Sequence, residues 1–394
     1  MAVNQSEEFV EKLCYQTFLK FWSYANPLLR KGKELTDVLI VCDPYIIIFS
    51  VKDINIKETD DVEQDAERWL KRAIDASAKQ IYGAERMLSM SDIVLLSDGK
   101  TEIKLPPKKE RIVFRVAVAL GRKETFPLKF GDLGKGYVHV FDQDSFDKAL
   151  IELDTILDFV KYLQQKEKLI KNNTIILSAA EEDFLAYYLD GEGQFPENGL
   201  VVLDQGLWSS FEKSEKQKRW QEEIKISALW DKFINQMSDD FFGNRLDFPV
   251  SREELEEILR VMAKEDRISR KLLSELWFDI INKTKHSKVF TRAVRSEISG
   301  SFVYVFLARP IDTDRELRKK ELLLRCLIAR GRNMDSQKII GIGTETVNGI
   351  GSSFDLVLLD LPEWNQSHQK AYELALEELG IDQPPIYRSI KNSF

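Results

Sequence analysis

GKELTDVLIVCDPYIIIFSVKDI, residues 32–54, holds two apolar, β-branched runs, VLIVC and YIIIFSV, separated by Asp43 and Pro44. Runs of this length on either side of an Asp-Pro pair read as two buried strands joined by a tight hairpin. Asp37 opens the first strand, and Ser50 and Lys52 lie near the end of the second. Side chains alternate across a strand, so Ser50 and Lys52 share a face. The start of one antiparallel strand lies beside the end of the next, which brings Asp37 within a side-chain length of both. Its carboxylate is expected roughly 3 to 8 Å from the Lys52 ammonium, a span that an ion or its water bridges. Hard Mg²⁺ prefers oxygen ligands, keeps several waters and can activate one of them against phosphate. A neighbouring lysine orients that water or stabilises the charge that develops.

Working outward, residues 6–24 carry Phe9, Leu13, Phe18 and Phe21 at near-helical spacing, with Glu7 and Glu8 where a helix start favours acids. Asn26-Pro27 is the expected stop, because the residue before proline avoids helical geometry. A long helix is expected over 62–88, on the recurrence of Leu70, Ala73, Ile74, Ser77, Ile81, Ala84 and Leu88, capped by Asp60 or Asp61. Strands at 93–96, 112–120 and 137–141 and a helix over 145–170 complete an α/β domain, residues 1–170. Residues 171–300 read as mainly helical. Residues 301–394 read as a smaller α/β domain, with strands at 302–307, 338–342 and 354–359 and helices at 314–329 and 366–379. Thr313 and Glu316 fit a capping box for the first of these helices.

An acid at a strand start, a hairpin, and an x-x-Lys strand end after an acidic helix resemble the signature of the PD-(D/E)XK nuclease superfamily. GKELTDVLIV, IIIFSVKD and RAIDASAKQIYGAERML are also similar to a group of uncharacterised bacterial proteins of comparable length. The resemblance implies a restriction-endonuclease-like αβ core at the N-terminus, with Asp37 as the first motif acid and Lys52 as the motif lysine. It gives Gln80 as a supporting helix glutamine, and Glu11 (or Glu7) as an additional acid from the first helix. It further implies Mg²⁺ or Mn²⁺ held by Asp37 with Glu11 or Glu34, cleavage of DNA ahead of RNA, and a place in bacterial defence against phage, with a protein partner of such a system. Ser50 stands where the superfamily has Asp or Glu. A hydroxyl is the weaker ligand, so the alternative is a catalytically lapsed module that binds nucleic acid or a partner protein. Strand alternation puts Glu34 on the face opposite Asp37 unless the chain between them is irregular.

Composition sets the outer limits. The 394 residues are 43% hydrophobic and 31% charged, ordinary for a globular chain. No apolar stretch approaches the roughly 20 residues of a membrane span. The first residues lack a secretory pattern, so a cytoplasmic protein without membrane contact is expected. Three cysteines far apart in sequence give no zinc motif. A net charge of −8 excludes coating of nucleic acid by global attraction and leaves only a local basic surface. The clearest local basic excess, Arg315, Arg318, Lys319, Lys320, Arg325, Arg330 and Arg332 on one helix, fits either phosphate contacts or a solvated face. KSEKQKRWQEE, residues 213–223, reads as a solvated helix. GIGTETVNGIG, residues 341–351, lacks phosphate-loop spacing and reads as a loop between strands. His139, His286 and His368 have no partner spacing and read as structural or exposed.

Overall fold

The computed structural model describes residues 5–29, 32–57, 59–123, 126–177, 179–246, 250–284, 289–296, 302–347, 350–381 and 388–390. The chain divides into two units, one of residues 1–222 with 235–245 and one of residues 223–234 with 246–394. Residues 171–300, expected as a region of their own, are thus shared between two cores. No helix among the described residues is long and apolar enough to cross a membrane.

In the first unit, helix α1 (Gln5–Phe18) leads to strands β1 (Ser23–Ala25), β2 (Val38–Cys42) and β3 (Tyr45–Asp53). Helix α2 (Val62–Leu70) continues through a wider π turn over Lys71–Asp75 into α3 (Ala76–Met90). The short strands β4 (Ile93–Leu95) and β5 (Glu102–Lys104), then β6 (Ile112–Leu120), β7 (Gly131–Asp132) and β8 (Tyr137–Phe141), come next. Helices α4 (Gln143–Glu152) and α5 (Ile156–Asn172), strand β9 (Thr174–Leu177), α6 (Glu181–Asp190), β10 (Leu200–Leu203), α7 (Leu207–Glu212) and α8 (Glu215–Ile224) follow.

The sheet runs β1-β2-β3-β6-β8-β7. β2 and β3 form the expected hairpin, Val38 opposite Phe49, while β3, β6 and β8 run parallel. Alternation sorts the core into two layers. Leu39, Val41, Ile46, Ile48, Ala117, Ala119, Val138 and Val140 face Trp69, Ala73, Ile74, Ala78, Ile81, Ala84 and Leu88 of the α2–α3 run. On the opposite face Phe49 packs among Phe18, Phe146 and Phe159 of α1, α4 and α5, with ring centroids 5.8 to 6.4 Å apart.

Three features differ from expectation, and the cap of α2 is one of the two expected residues. α1 stops at Phe18 because Leu19 is left-handed, with φ 66°, which frees Ser23–Ala25 to pair with β2. Asp61 is the cap of α2, accepting from the Gln64 amide. The helix expected over 145–170 is two helices, because Thr155 caps a fresh start by accepting from the Asp158 amide. The supposedly helical middle contains β9 and β10, a parallel pair.

Between α5 and α6 the fully buried Lys166 pairs with the buried Glu181, which also accepts from the Tyr162 hydroxyl at 2.9 Å. The rings of Phe130 and Phe184 lie 4.4 and 5.0 Å from the ammonium. His139 is fully buried against Glu167, 3.0 Å away, and burial pulls it down to about 4, so it is neutral at ordinary pH.

The second unit takes in the start of α9 (Ala228–Phe242) with α10 (Arg252–Ala263), α11 (Arg267–Lys283), β11 (Phe290–Ser296), β12 (Phe302–Pro310), α12 (Arg315–Arg332), β13 (Lys338–Val347), β14 (Ile350–Asp360), α13 (Gln366–Glu378) and β15 (Arg388–Ile390). Its sheet runs β14-β13-β12-β11-β15. Asp314, and not Thr313, caps α12, accepting from the amides of Glu316 and Leu317. His368 completes the capping box at Asn365, and His286 lies outside the described residues. Gly341 and Gly343 lie within β13 and not in a loop. A Cβ on Gly341 would sit 2.5 Å from Cys326 Sγ, and one on Gly343 would sit 3.2 Å from Leu322 Cδ2. These glycines let α12 lie directly on the strand, where Leu322, Cys326 and Ala329 close a core with Val303, Val305, Leu307 and Ile339. Gly341→Ala is expected to destabilise this unit by about 1 to 3 kcal/mol through overpacking. Urea unfolding measures it, and an unchanged midpoint would show that the helix yields without cost.

Candidate functional site

Extending the β2–β3 register by one residue places Asp37 opposite Ser50, at the edge where β3 ends. Two interactions hold the strand start there. The Asn26 amide donates to the Asp37 carbonyl at 2.9 Å, and the Thr36 hydroxyl donates to the Phe49 carbonyl at 2.5 Å. Asp37 Oδ2 accepts from the Val51 amide at 2.5 Å and lies 3.7 Å from Lys52 Nζ. Gln80, from α3, donates through Nε2 to Asp37 Oδ1 at 3.1 Å and accepts from the Ser50 hydroxyl, also at 3.1 Å. Asp37 is 5% exposed and Lys52 30%, so the carboxylate is buried behind a cation that reaches solvent.

All four side chains therefore lie on the α3 face of the sheet. The reason is alternation: residues 37, 50 and 52 share their parity with 39, 46 and 48, which face α3. Gln80 is one residue from Ile81, which packs on that same face.

The acids divide unevenly. Glu34 is bridged across the chain to Leu28, which is itself bridged to Leu95. The segment between Glu34 and Asp37 is not a regular strand, so simple alternation fails there. Desolvation first, then the charges of Asp37 and Glu7, push the Glu34 carboxyl up, while Lys52 pulls it down. Asp37, Glu7 and Lys52 are thus each within electrostatic reach of Glu34. Glu11 is drawn elsewhere: it hydrogen-bonds Tyr15, and its charge acts on Cys14. One turn earlier, Glu7 is the helix acid that acts on the site, near the place where Ser6 Oγ donates to Asp53 Oδ2 at 2.6 Å at the end of β3. Equal spacing of Glu7 and Glu11 left the choice open in the sequence. Among the described residues no group of three or more His, Cys, Asp or Glu is placed to hold a metal ion.

The edge that carries the site is tied to its neighbours. Gly121, just after β6, has φ 71°, and a Cβ there would meet the Ile54 carbonyl oxygen at 2.8 Å. Arg122 pairs with Asp142, the cap of α4, at 2.6 Å.

The basic helix α12 does not offer the surface its composition suggested. Arg318 is fully buried, with Nε 2.5 Å from Asp355, Nη1 3.1 Å from Glu345 and Nη2 2.9 Å from the Ser353 hydroxyl. Arg315 pairs with Asp355, Arg325 with Glu321, Lys319 with Glu316 and Lys320 with Glu378. Arg330 is buried against the Leu361 carbonyl. Asp355 and Glu345, far away in sequence, neutralise Arg318 inside the unit, so phosphate contact through Arg318 is excluded, while Lys319 and Lys320 keep solvent exposure beside their acids. The chain matches no family model, and comparisons with curated proteins and with solved structures likewise return no match.

Proposed function

We propose that Asp37, Lys52, Ser50 and Gln80 form the active site of a metal-dependent nuclease of the PD-(D/E)XK type that hydrolyses phosphodiester bonds in DNA, in the setting of bacterial defence. The observation that supports this reading is the 3.7 Å approach of the Lys52 ammonium to a buried Asp37 carboxylate at the end of a parallel strand. The carboxyl ends of strands are where open α/β sheets receive ligands.

The residues at hand suit Mg²⁺ or Mn²⁺ in a spare way. Magnesium needs only one or two carboxylates and keeps its waters, and Glu34 is within electrostatic reach of Asp37 to complete such a pair. Burial pushes Glu34 up most, and the charge of Asp37, which pushes it up next, is what a cation would offset. When bound, the ion supplies Lewis-acid stabilisation of phosphate charge. The protein supplies the rest. Lys52 stabilises charge on the scissile phosphate, Gln80 holds the Asp37 carboxylate in one orientation, and Ser50 fixes Gln80. Gln80→Leu is therefore expected to reduce cleavage by roughly 10- to 100-fold, as loss of such supporting groups does. DNA affinity should hardly change. Equal activity of this variant and wild type would remove Gln80 from the site.

The deciding experiment incubates the full chain with linear, circular and single-stranded DNA and with RNA, in Mg²⁺, Mn²⁺ or EDTA. Cleavage with either metal and none with EDTA is expected. No cleavage of any substrate overturns the reading. One observation favours a second reading, a nuclease-like module that binds nucleic acid or a partner protein without cutting it. Ser50 takes the place of an acid, and no triad of acids gathers among the described residues. Binding without cleavage in the same assay is its signature.

A further inference from the structure

In the second unit, Glu265 lies in the turn between α10 and α11 and is fully buried. Its carboxyl accepts from the Ser296 hydroxyl of β11 at 2.9 Å and from the Tyr304 hydroxyl of β12 at 2.9 Å. Among the described residues no cation bonds to this carboxyl, and Arg270 acts on it only through space. Arg270, from α11, directs Nε to the Glu265 main-chain carbonyl at 2.9 Å, Nη2 to the Ala263 carbonyl at 2.6 Å, and Nη1 to Asp231 of α9. Arg267 also binds Asp231, at 2.7 Å. The remaining charged neighbour, Asp266, is an anion and opposes ionisation of Glu265. Over the site Trp230 packs edge-on against Tyr304, with centroids 5.4 Å apart, and donates through Nε1 to the Met262 carbonyl at 3.0 Å.

We propose that Glu265 is a proton-operated latch: neutral, it fastens the α10–α11 turn to β11 and β12, and ionised, it releases that turn. An anion whose direct partners are two neutral donors, beside an aspartate and a guanidinium committed to other acceptors, is poorly solvated, and opening the turn to water is the available relief. Burial, the largest influence, pushes this carboxyl from its ordinary 4.5 up to about 7, with the two hydroxyls and Arg270 pulling the other way. Between these values the folded unit holds a proton that the unfolded chain releases. The latch is therefore fully effective below about 4.5 and is lost as pH rises through about 7.

Hydrogen exchange of the full chain at pH 6 and pH 8.5, corrected for intrinsic exchange rates, tests the latch. Amides of residues 262–270 and 302–306 should lose protection at the higher pH, by on the order of tenfold or more. Glu265→Gln, which keeps the shape without the charge, should retain protection at both. Equal protection of the wild type at both pH values overturns the proposal. So does a Glu265→Gln variant that loses protection as the wild type does. Should Glu265→Gln fail to fold, Tyr304→Phe decides. It removes a donor to the carboxylate, so release should move to higher pH, and an unmoved midpoint overturns the latch.

Discussion

Lys52→Ala should lower the rate of DNA cleavage by on the order of 10²-fold or more, as loss of one preorganised charge-stabilising group does, while DNA affinity stays within about tenfold. The separation arises because Lys52 stands 3.7 Å from a single buried carboxylate. Its charge matters most when phosphate charge builds up and least for ground-state attachment. Asp37→Ala should abolish cleavage at ordinary Mg²⁺ concentrations. It also leaves the Val51 amide and the Gln80 amide without an acceptor, so Asp37→Asn is the cleaner variant. Asparagine keeps an oxygen for one of these donors and removes only the charge. Single-turnover cleavage and equilibrium binding on the same DNA separate the two effects. Parallel losses of both would assign Lys52 to attachment and favour a binding module. Ser50→Glu offers the complementary test, since recovery of cleavage in an otherwise inactive protein would identify a lapsed site.

Lys166→Met should cost the first unit about 3 to 5 kcal/mol, the penalty for leaving one member of a buried ion pair without the other. Glu181 would keep only the Tyr162 hydroxyl among its described partners, and burial already pushes its carboxyl up even with Lys166 present. Adding Glu181→Gln to this variant should return most of the loss, because the stranded charge is then gone. Urea unfolding of the single and double variants measures both. A single-variant cost below about 1 kcal/mol would mean that water reaches Glu181.

The hairpin and the meeting of its side chains were legible because they depend on near neighbours. Two β-branched runs across Asp43-Pro44 set the register, the register sets which side chains share a face, and Asp37, Ser50 and Lys52 follow. Gln80 was legible only through resemblance, since an amphipathic helix has several flanking polar positions. Glu7 and Glu11 could not be told apart, because the roll of α1 against the sheet is a tertiary matter. The end of that helix was hidden for a different reason: nothing in a leucine announces the left-handed backbone of Leu19. Arg318 of α12 was misread because its partners Asp355 and Glu345 lie 37 and 27 residues away. Local charge counting sees a basic helix where folding makes a neutral interior.

The direction of the strands has a consequence for how this protein diversifies. β3, β6 and β8 all finish at the edge where β2 starts, so the residues just before Val38 and just after Asp53 and Leu120 lie side by side there. These positions form the rim of the sheet beside Asp37 and Lys52, while the pairing of Val38 with Phe49 and of Ser50 with Ala117 lies below it. Lengthening or rewriting a rim segment leaves those pairings untouched, because surface loops absorb insertions at small entropic cost. Changes confined to these positions should thus alter what the edge admits without altering the register that brings Asp37 to Lys52.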